Sequence, residues 1–515
     1  MEQDHTNVSR SRKGSKKASR KSSASFKPSA NRKPVELDVE QVSAAIAPIE
    51  LPTDELERLA AAMSQRHANV MRVRRDRTDA FRISRSDADS HNQADVPWYP
   101  LALAIPDGFH ASRSIDFAAG EFYLQDAGSL LALAAAQAHT DSLSGQLVCD
   151  LCAAPGGKAT GLLEAIGDDG FLLANEPIRS RIAPLAYNLS RTGSDRYAIS
   201  SEDPDALAEK LPGVFDTILI DAPCSGQALL SRGRQSKGAV NESMVATNAA
   251  RQQRILAAAH KLLRPGGTLV YSTCTFAVAE NEDQVDWMIR ELEMQPSPVS
   301  TLTDYQSPLA ECGYRVWPHR DGCAGAFAAR LTKPIATAPT EETAEFSEDP
   351  WLLRRGVLRS EQPLDSDCDE LIQSVLGVSP SDATTEEDSG FFRQRDWITE
   401  AFCKGAPEWV KQDWTIGPEV AHRTGQTWKP SHACALRQTN DPLTVNVARI
   451  ELNDAEAATF LAGGTVPTDQ RGWLIVQHQG RPLGWAKADG RIGKNHLPTH
   501  ARMQVAKNAV QEQST

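Results

Sequence analysis

Between about Asp116 and Leu331, short apolar runs alternate with longer segments of helical spacing. Gln146 to Cys149, Phe171 to Ala174, Phe215 to Ile220 and Thr268 to Ser272 read as buried strands. Gln125 to Ala138, Ala159 to Ala165, Arg179 to Leu189 and Arg251 to Leu263 read as helices, and Arg264 to Gly267 reads as a turn before the last strand. Strand and helix in regular alternation predict an α/β fold: a doubly wound, Rossmann-like sheet with helices on both faces. In such a sheet, ligands bind beyond the carboxyl ends of the strands.

The pattern changes on either side of this region. Residues 1–35 are Ser, Lys and Arg with almost no large apolar residue, which predicts a disordered basic tail. Residues 36–115 predict a small α+β accessory domain that binds RNA. A helix starts at Leu51 to Leu56 and continues through Met63. A basic strand then runs from Val70 to Ser84 with Arg72, Arg74, Arg75, Arg77 and Arg82, as an RNA surface or simply an exposed strand face. Residues 332–390 read as an acidic linker with an apolar island at Leu371 to Val378. Residues 391–503 read as a small β-rich domain, in which Trp473 to Gln477 and Pro482 to Trp485 flank a Gln479-Gly480 hairpin turn. A short tail, 504–515, follows.

Composition narrows the function classes. The chain has 515 residues, 40% of them hydrophobic and 24% charged, with no apolar run long enough to span a bilayer. The formal net charge of −12 does not exclude a polyanionic partner, because charge acts locally, within a Debye length of roughly 8 Å. Nine cysteines without a signal-peptide pattern point to reduced thiols in the cytoplasm. Cys149 and Cys152 have C-x-x-C spacing, but no second ligand pair matches them, so no metal is expected.

Candidate chemistry collects at the strand ends. Asp150 to Lys158 (Asp-Leu-Cys-Ala-Ala-Pro-Gly-Gly-Lys) is a strand end followed by a Gly-rich bend, where bare backbone can approach a ligand. Glu176 ends the next strand, about 20 residues on, where a carboxylate can accept from two ribose hydroxyls. No Lys-Ser/Thr follows the glycines to hold a metal-bound triphosphate, so a nucleoside ligand fits better. Asp221 and Cys224 follow one strand and Cys274 another. Each cysteine alone reads as a core residue, yet Pro-Cys-Ser-Gly and Ser-Thr-Cys-Thr are turn sequences. Two thiols beside a carboxylate suit covalent chemistry, since a thiolate attacks readily and leaves by elimination.

Taken in order, Asp150 to Lys158, Ala174-Asn175-Glu176, Asp221 to Gly226, Tyr271 to Thr275 and Glu280-Asn281-Glu282 resemble the Sun/Fmu-type S-adenosylmethionine-dependent RNA cytosine-5 methyltransferases. The resemblance spans about 116–331 and includes Arg264 to Gly267 and Arg315 to His319. Lys429 to Ala433, Gly484 to Lys487 and Lys494 to His496 resemble the PUA-like RNA-binding end of the RsmF subgroup. The resemblance implies Cys274 as the nucleophile on carbon 6 of cytosine and Asp221 as hydrogen-bond partner of the ring nitrogen and exocyclic amine. It implies Cys224 as the group that assists loss of the carbon-5 proton, with Lys158 near the reaction centre. The implied cofactor is S-adenosylmethionine, cradled by Cys152, Ala153, Ala154, Pro155, Gly156, Gly157 and Lys158, with Glu176 on the ribose and Asp203 near the adenine; Glu202 is the alternative to Asp203. Arg181 matches an arginine that serves either a structural ion pair or substrate contact. Where the family carries Glu-Gly after Ser225-Gly226, this chain has Gln227-Ala228. The implied partner is RNA, foremost the ribosomal RNA of the small subunit, acted on by a monomer with no membrane association. A transfer RNA methyltransferase and a non-catalytic RNA-binding assembly factor are the alternatives, and the second thiol motif speaks against a DNA enzyme.

Overall fold

The computed structural model describes residues 33–75, 96–335, 364–377, 391–395, 397–403, 405–437 and 447–506. The basic tail through residue 32, Arg77, Arg82, most of the acidic stretch and the segment after 506 lie outside the described residues.

Strands β1 (Asn69–Val73), β2 (Ala102–Ala104) and β3 (Phe122–Asp126) form an antiparallel sheet in the order β2-β1-β3. It therefore crosses the division expected between 115 and 116. Gln125 lies in β3 opposite Val70, and the helix expected from Gln125 begins only at Leu131 after a 3-10 turn. The Ala- and Leu-rich run is helical by local preference, but pairing with β1 claims its first residues.

The central sheet holds β4 (Leu147–Asp150), β5 (Phe171–Asn175), β6 (Tyr197–Ser200), β7 (Phe215–Asp221) and β8 (Leu263–Thr273), all parallel, in the order β6-β5-β4-β7-β8. The order reverses between β4 and β7, and the crevice beyond that switch point is the place for a ligand. Both faces are covered, so the strands are apolar throughout. Val148 and Leu172 pack with Leu131, Leu133 and Leu162 on one side. Leu147, Cys149, Phe171 and Leu173 pack with Leu256 and Leu262 of the Glu242–Leu262 helix on the other. The Arg264-Pro265-Gly266-Gly267 turn sits inside β8 as a bulge, where the partner of β7 jumps from Leu263 to Thr268. β9 (Gln295–Pro296), β10 (Gln306–Ser307), β11 (Ala310–Val316) and β12 (Ala326–Thr332) extend the sheet, β12 running antiparallel to β8.

The C-terminal region contains two sheets, with one strand lent to the central sheet. β13 (Phe391–Arg395), β14 (Ile398–Phe402), β16 (Glu419–Thr424) and β17 (Thr427–Pro430) form one sheet, while β15 (Thr415–Ile416) pairs with the edge of β6. β18 (Arg449–Glu451), β19 (Val466–Pro467), β20 (Arg471–His478), β21 (Arg481–Asp489) and β22 (Ile492–Asn495) form the other. The hairpin turn is at Gln479-Gly480, both with positive φ as a type I′ turn requires. The apolar island of the expected linker is the helix Ser366–Leu376, which packs with Val420, Trp428 and Trp485 of these sheets. Asp365 caps it and accepts from Trp428 Nε1, so this stretch is part of the C-terminal fold rather than a spacer.

The strand expected from Val70 to Ser84 runs only through Val73 among the described residues, and Arg72, the arginine within it, does not face solvent. Arg72 is 1% exposed and donates to Glu164 at 2.6 Å and Thr160 at 2.8 Å, both on the Gly157–Ala165 helix. Arg75 pairs with Asp141 at 2.7 Å, and Arg74 donates to the Thr192 carbonyl. These side chains dock the small sheet onto the Gly157–Ala165 helix and the loops beside the central sheet.

Candidate active site

The strand ends open into a cavity of about 720 Å³. Cys152, Ala153, Ala154, Pro155, Gly157 and Lys158 line it, as do Glu176, Asp203, Asp221, Cys224 and Cys274. Gly156 takes φ +114° and turns toward Asn188 of the neighbouring helix, where a Cβ would sit 3.1 Å from the Asn188 Cβ. Its backbone makes the bend from β4 into the Gly157–Ala165 helix, a conformation that side chains resist.

Glu176 is 1% exposed at the end of β5. Its Oε1 accepts from the Ile178 amide at 2.9 Å, and Arg181 holds its Oε2 at 3.0 Å while also donating to the Ala154 carbonyl. The carboxylate is thus held in place by the chain itself, and Arg181, which also lines the cavity, is its ion-pair partner. Asp203 faces the cavity but also caps the Pro204–Lys210 helix and is bound by Arg254 at 2.9 Å. Glu202 instead pairs with Lys210 at 2.7 Å. Of these two acids, Asp203 is the one on the cavity wall.

Lys158 Nζ lies 2.7 Å from Asp221 Oδ2, joining the first motif to the end of β7. Burial alone would pull the Lys158 ammonium down, but the Asp221 carboxylate, its hydrogen bond and Asp150 outweigh this and push it above its ordinary value. The Sγ atoms of Cys224 and Cys274 are 3.3 Å apart. The Cys224 thiol is pushed well up, first by its hydrogen bond to Cys274 and then by burial. Among the described residues no group of three or more His, Cys, Asp or Glu is arranged to hold a metal ion.

Several supporting residues escaped the sequence reading. Glu280 Oε2 accepts from the Ser225 amide at 2.9 Å and from Gln252 Nε2 at 2.9 Å, while Gln252 also holds the Pro223 carbonyl at 3.0 Å. The loop on both sides of Cys224 is therefore tied to one buried carboxylate. Gln227, the departure from Glu-Gly, is buried and bridges the two cysteine loops: its Oε1 accepts from the Phe276 amide at 3.0 Å. The only sequence signal for Glu280 was its place in Glu280-Asn281-Glu282. Nothing marked Gln252, on an otherwise ordinary helix.

Asp150, read only as the start of a motif, is fully buried at the cavity floor, and neither carboxylate oxygen has a hydrogen-bond partner. Burial, reinforced by Asp221, pushes its carboxyl up to about 7. A buried acid with unpaired oxygens on the wall of the same cavity as Glu176 suits a cationic ligand such as S-adenosylmethionine. The folded chain holds this proton more tightly than the unfolded one. The Asp150 contribution to stability should therefore fall by ~1.4 kcal/mol per pH unit between the ordinary carboxylate range and about 7, then level off. Urea unfolding of the wild type and Asp150→Asn at pH 5 and pH 8 measures this. The variant is expected to lose less stability on going to pH 8, and equal pH dependence would refute the assignment.

Two family models match in chain order: 16S rRNA methyltransferase RsmB/F over residues 139–332 and methyltransferase RsmF PUA domain over residues 447–503. Ribosomal RNA small subunit methyltransferase F of Cronobacter sakazakii is 30% identical over 422 residues, covering 78% of this chain and 83% of that protein. The protein of the same name from Escherichia coli is 31% identical over 431 residues, with 78% and 83% coverage. Among solved structures, the crystal structure of PH0851 matches with a TM-score of 0.50 at 27% identity, covering 57% of this chain and 65% of that one. With the catalytic and terminal models matched in order and relatives of this similarity aligned over most of their length, the chain belongs to the ribosomal RNA small subunit methyltransferase F family and is an S-adenosylmethionine-dependent methyltransferase.

Proposed function

We propose that this enzyme methylates carbon 5 of a cytosine in small-subunit ribosomal RNA through a covalent cysteine–cytosine adduct. The observation that carries the reading is the pair of thiols 3.3 Å apart, on the loops after β7 and β8, in the same cavity as the Lys158–Asp221 pair. Carbon 5 of cytosine is a poor nucleophile until a thiolate adds to carbon 6, and such addition needs both a sulfur that can leave again and charge stabilisation along the ring. Cys274, as its thiolate, adds to carbon 6. Asp221 meets the exocyclic amine and ring-nitrogen edge, and the Lys158 ammonium it holds offsets the negative charge that develops on the ring. S-adenosylmethionine supplies the electrophilic methyl group. Once Cys274 is bonded to carbon 6 its contact with Cys224 is broken, and Cys224 releases its proton to solvent. The Cys224 thiolate then removes the carbon-5 proton, and the carbon–sulfur bond to Cys274 breaks.

RNA as the substrate class is supported by the names of the relatives and by the face of the terminal sheet. Trp473, Lys487 and Lys494 stand directly opposite one another across β20, β21 and β22. Two lysines facing each other repel, and that repulsion is relieved by a polyanion. Labelled S-adenosylmethionine offered with small-subunit RNA, transfer RNA and DNA tests the substrate, with bisulfite sequencing to locate 5-methylcytosine. Label confined to small-subunit RNA is expected; label confined to transfer RNA would favour the rival substrate, and label elsewhere than carbon 5 would end the cytosine-5 reading.

A further inference from the structure

Gln125 is 8% exposed, lies on the wall of the active-site cavity, and leaves both its side-chain Oε1 and Nε2 without a hydrogen-bond partner. Buried amides in folded proteins are almost always paired, so one with both ends unpaired calls for an explanation. Loose packing does not supply it. The backbone of Gln125 is fixed in β3 opposite Val70. The adjoining Asp126 accepts from the Gly128 amide at 2.9 Å, the Ala324 amide at 3.2 Å and Arg232 at 3.2 Å.

The side chain is aimed at the cofactor floor. A Cβ added at Gly157 would lie 3.0 Å from Gln125 Oε1 and 3.3 Å from Tyr123 Cε1, so the amide lies directly over the first residue of the Gly157–Ala165 helix. First-turn amides of a helix lack intrahelical acceptors and attract anions. An unpaired carbonyl and an unpaired NH₂ on one planar group, beside those amides, match a zwitterionic α-amino acid. The carbonyl accepts from its ammonium and the NH₂ donates to its carboxylate.

We infer that Gln125 is a binding residue for the amino-acid end of S-adenosylmethionine, a role separate from the ribose contact of Glu176. This rests on the assignment of the cavity to that cofactor. Calorimetric titration of wild type, Gln125→Met and Gln125→Ala with two nucleosides tests it: S-adenosylhomocysteine, which keeps the amino-acid end, and 5′-methylthioadenosine, which lacks it. Both variants should bind S-adenosylhomocysteine about tenfold to a hundredfold more weakly, the loss typical of hydrogen bonds to charged groups. Binding of 5′-methylthioadenosine should stay within roughly twofold, which also shows that the variants are folded. Equal weakening of both nucleosides, or of neither, would overturn the inference. So would an unchanged S-adenosylhomocysteine affinity together with a loss of RNA binding, because Gln125 would then face the nucleobase. Failure of the wild type to bind either nucleoside would instead remove the cofactor site on which the inference stands.

Discussion

Cys224→Ala is expected to accumulate a denaturant-resistant protein–RNA adduct, whereas Cys274→Ala is expected to form none and to lose methyl transfer by on the order of 10⁴-fold, the scale on which removal of a covalent nucleophile acts. The asymmetry follows from the geometry of the pair. The two sulfurs lie 3.3 Å apart, and the hydrogen bond and burial push the Cys224 thiol up, which makes Cys224 the poorer source of an attacking thiolate and, once ionised, the stronger base. In the proposed division of labour Cys274 attacks. Removing Cys224 leaves the nucleophile in place but takes away the base that ends the reaction, so the adduct persists. The scaffold argues that each alanine acts locally. The Cys224 loop is held by backbone contacts, Ser225 N to Glu280 and the Pro223 carbonyl to Gln252. The Cys274 carbonyl accepts from the Ala228 amide at 3.0 Å whatever the side chain is. Denaturing electrophoresis of each variant after incubation with RNA and S-adenosylmethionine reads the outcome. An adduct in Cys274→Ala, or its absence in Cys224→Ala, would reverse or remove the division of labour.

The strand ends were legible in the sequence because they combine two signals that a single chain displays openly. Buried parallel strands are short apolar runs, and the loops after them carry Gly, Pro and reactive side chains that have no packing purpose. Asp150 to Lys158, Glu176, Asp221, Cys224 and Cys274 stand out in this way, and the structure brings all of them except Leu151 and Gly156 to the wall of one cavity. What remained hidden depends on tertiary contacts. Arg72 looks like a surface charge until Glu164 and Thr160, some ninety residues away, are placed against it. Gln125 looks helical until β1 pairs with it. Ser366 to Leu376 looks like an island in a linker until Trp428 and Trp485 cover it. Gln252 carries no pattern at all, and neither the motif place of Glu280 nor the departure at Gln227 says what each holds, because a buried hydrogen-bond hub is defined by its partners and not by its neighbours in sequence.

The largest expected loss of stability comes from such a hub. Arg315 and Glu282 are each 2% exposed in their side chains and form a two-pronged pair at 2.5 and 2.6 Å. Ser307 Oγ adds a third donor to Glu282 at 2.5 Å. Arg315→Met removes the positive partner and leaves a carboxylate with one hydroxyl in a dry site, which is expected to cost about 3–5 kcal/mol. Arg315→Met combined with Glu282→Leu removes both charges and should recover most of that loss, since a buried pair is worth little against apolar residues of similar volume. Urea unfolding of the two variants and the parent measures both effects; a double variant as unstable as the single one would mean that the bridge itself, rather than the stranded charge, carries the energy. Activity separates a second role. Arg315 Nη1 donates to the Phe276 carbonyl at 3.0 Å, and the Phe276 amide donates to Gln227, so the guanidinium also holds the loop that follows Cys274. The double variant is therefore expected to regain stability without regaining the full rate, because no apolar residue at 315 can hold that carbonyl. Full recovery of rate together with stability would show that the loop keeps its place through Gln227 and the stacking of Phe276 on Trp317 alone.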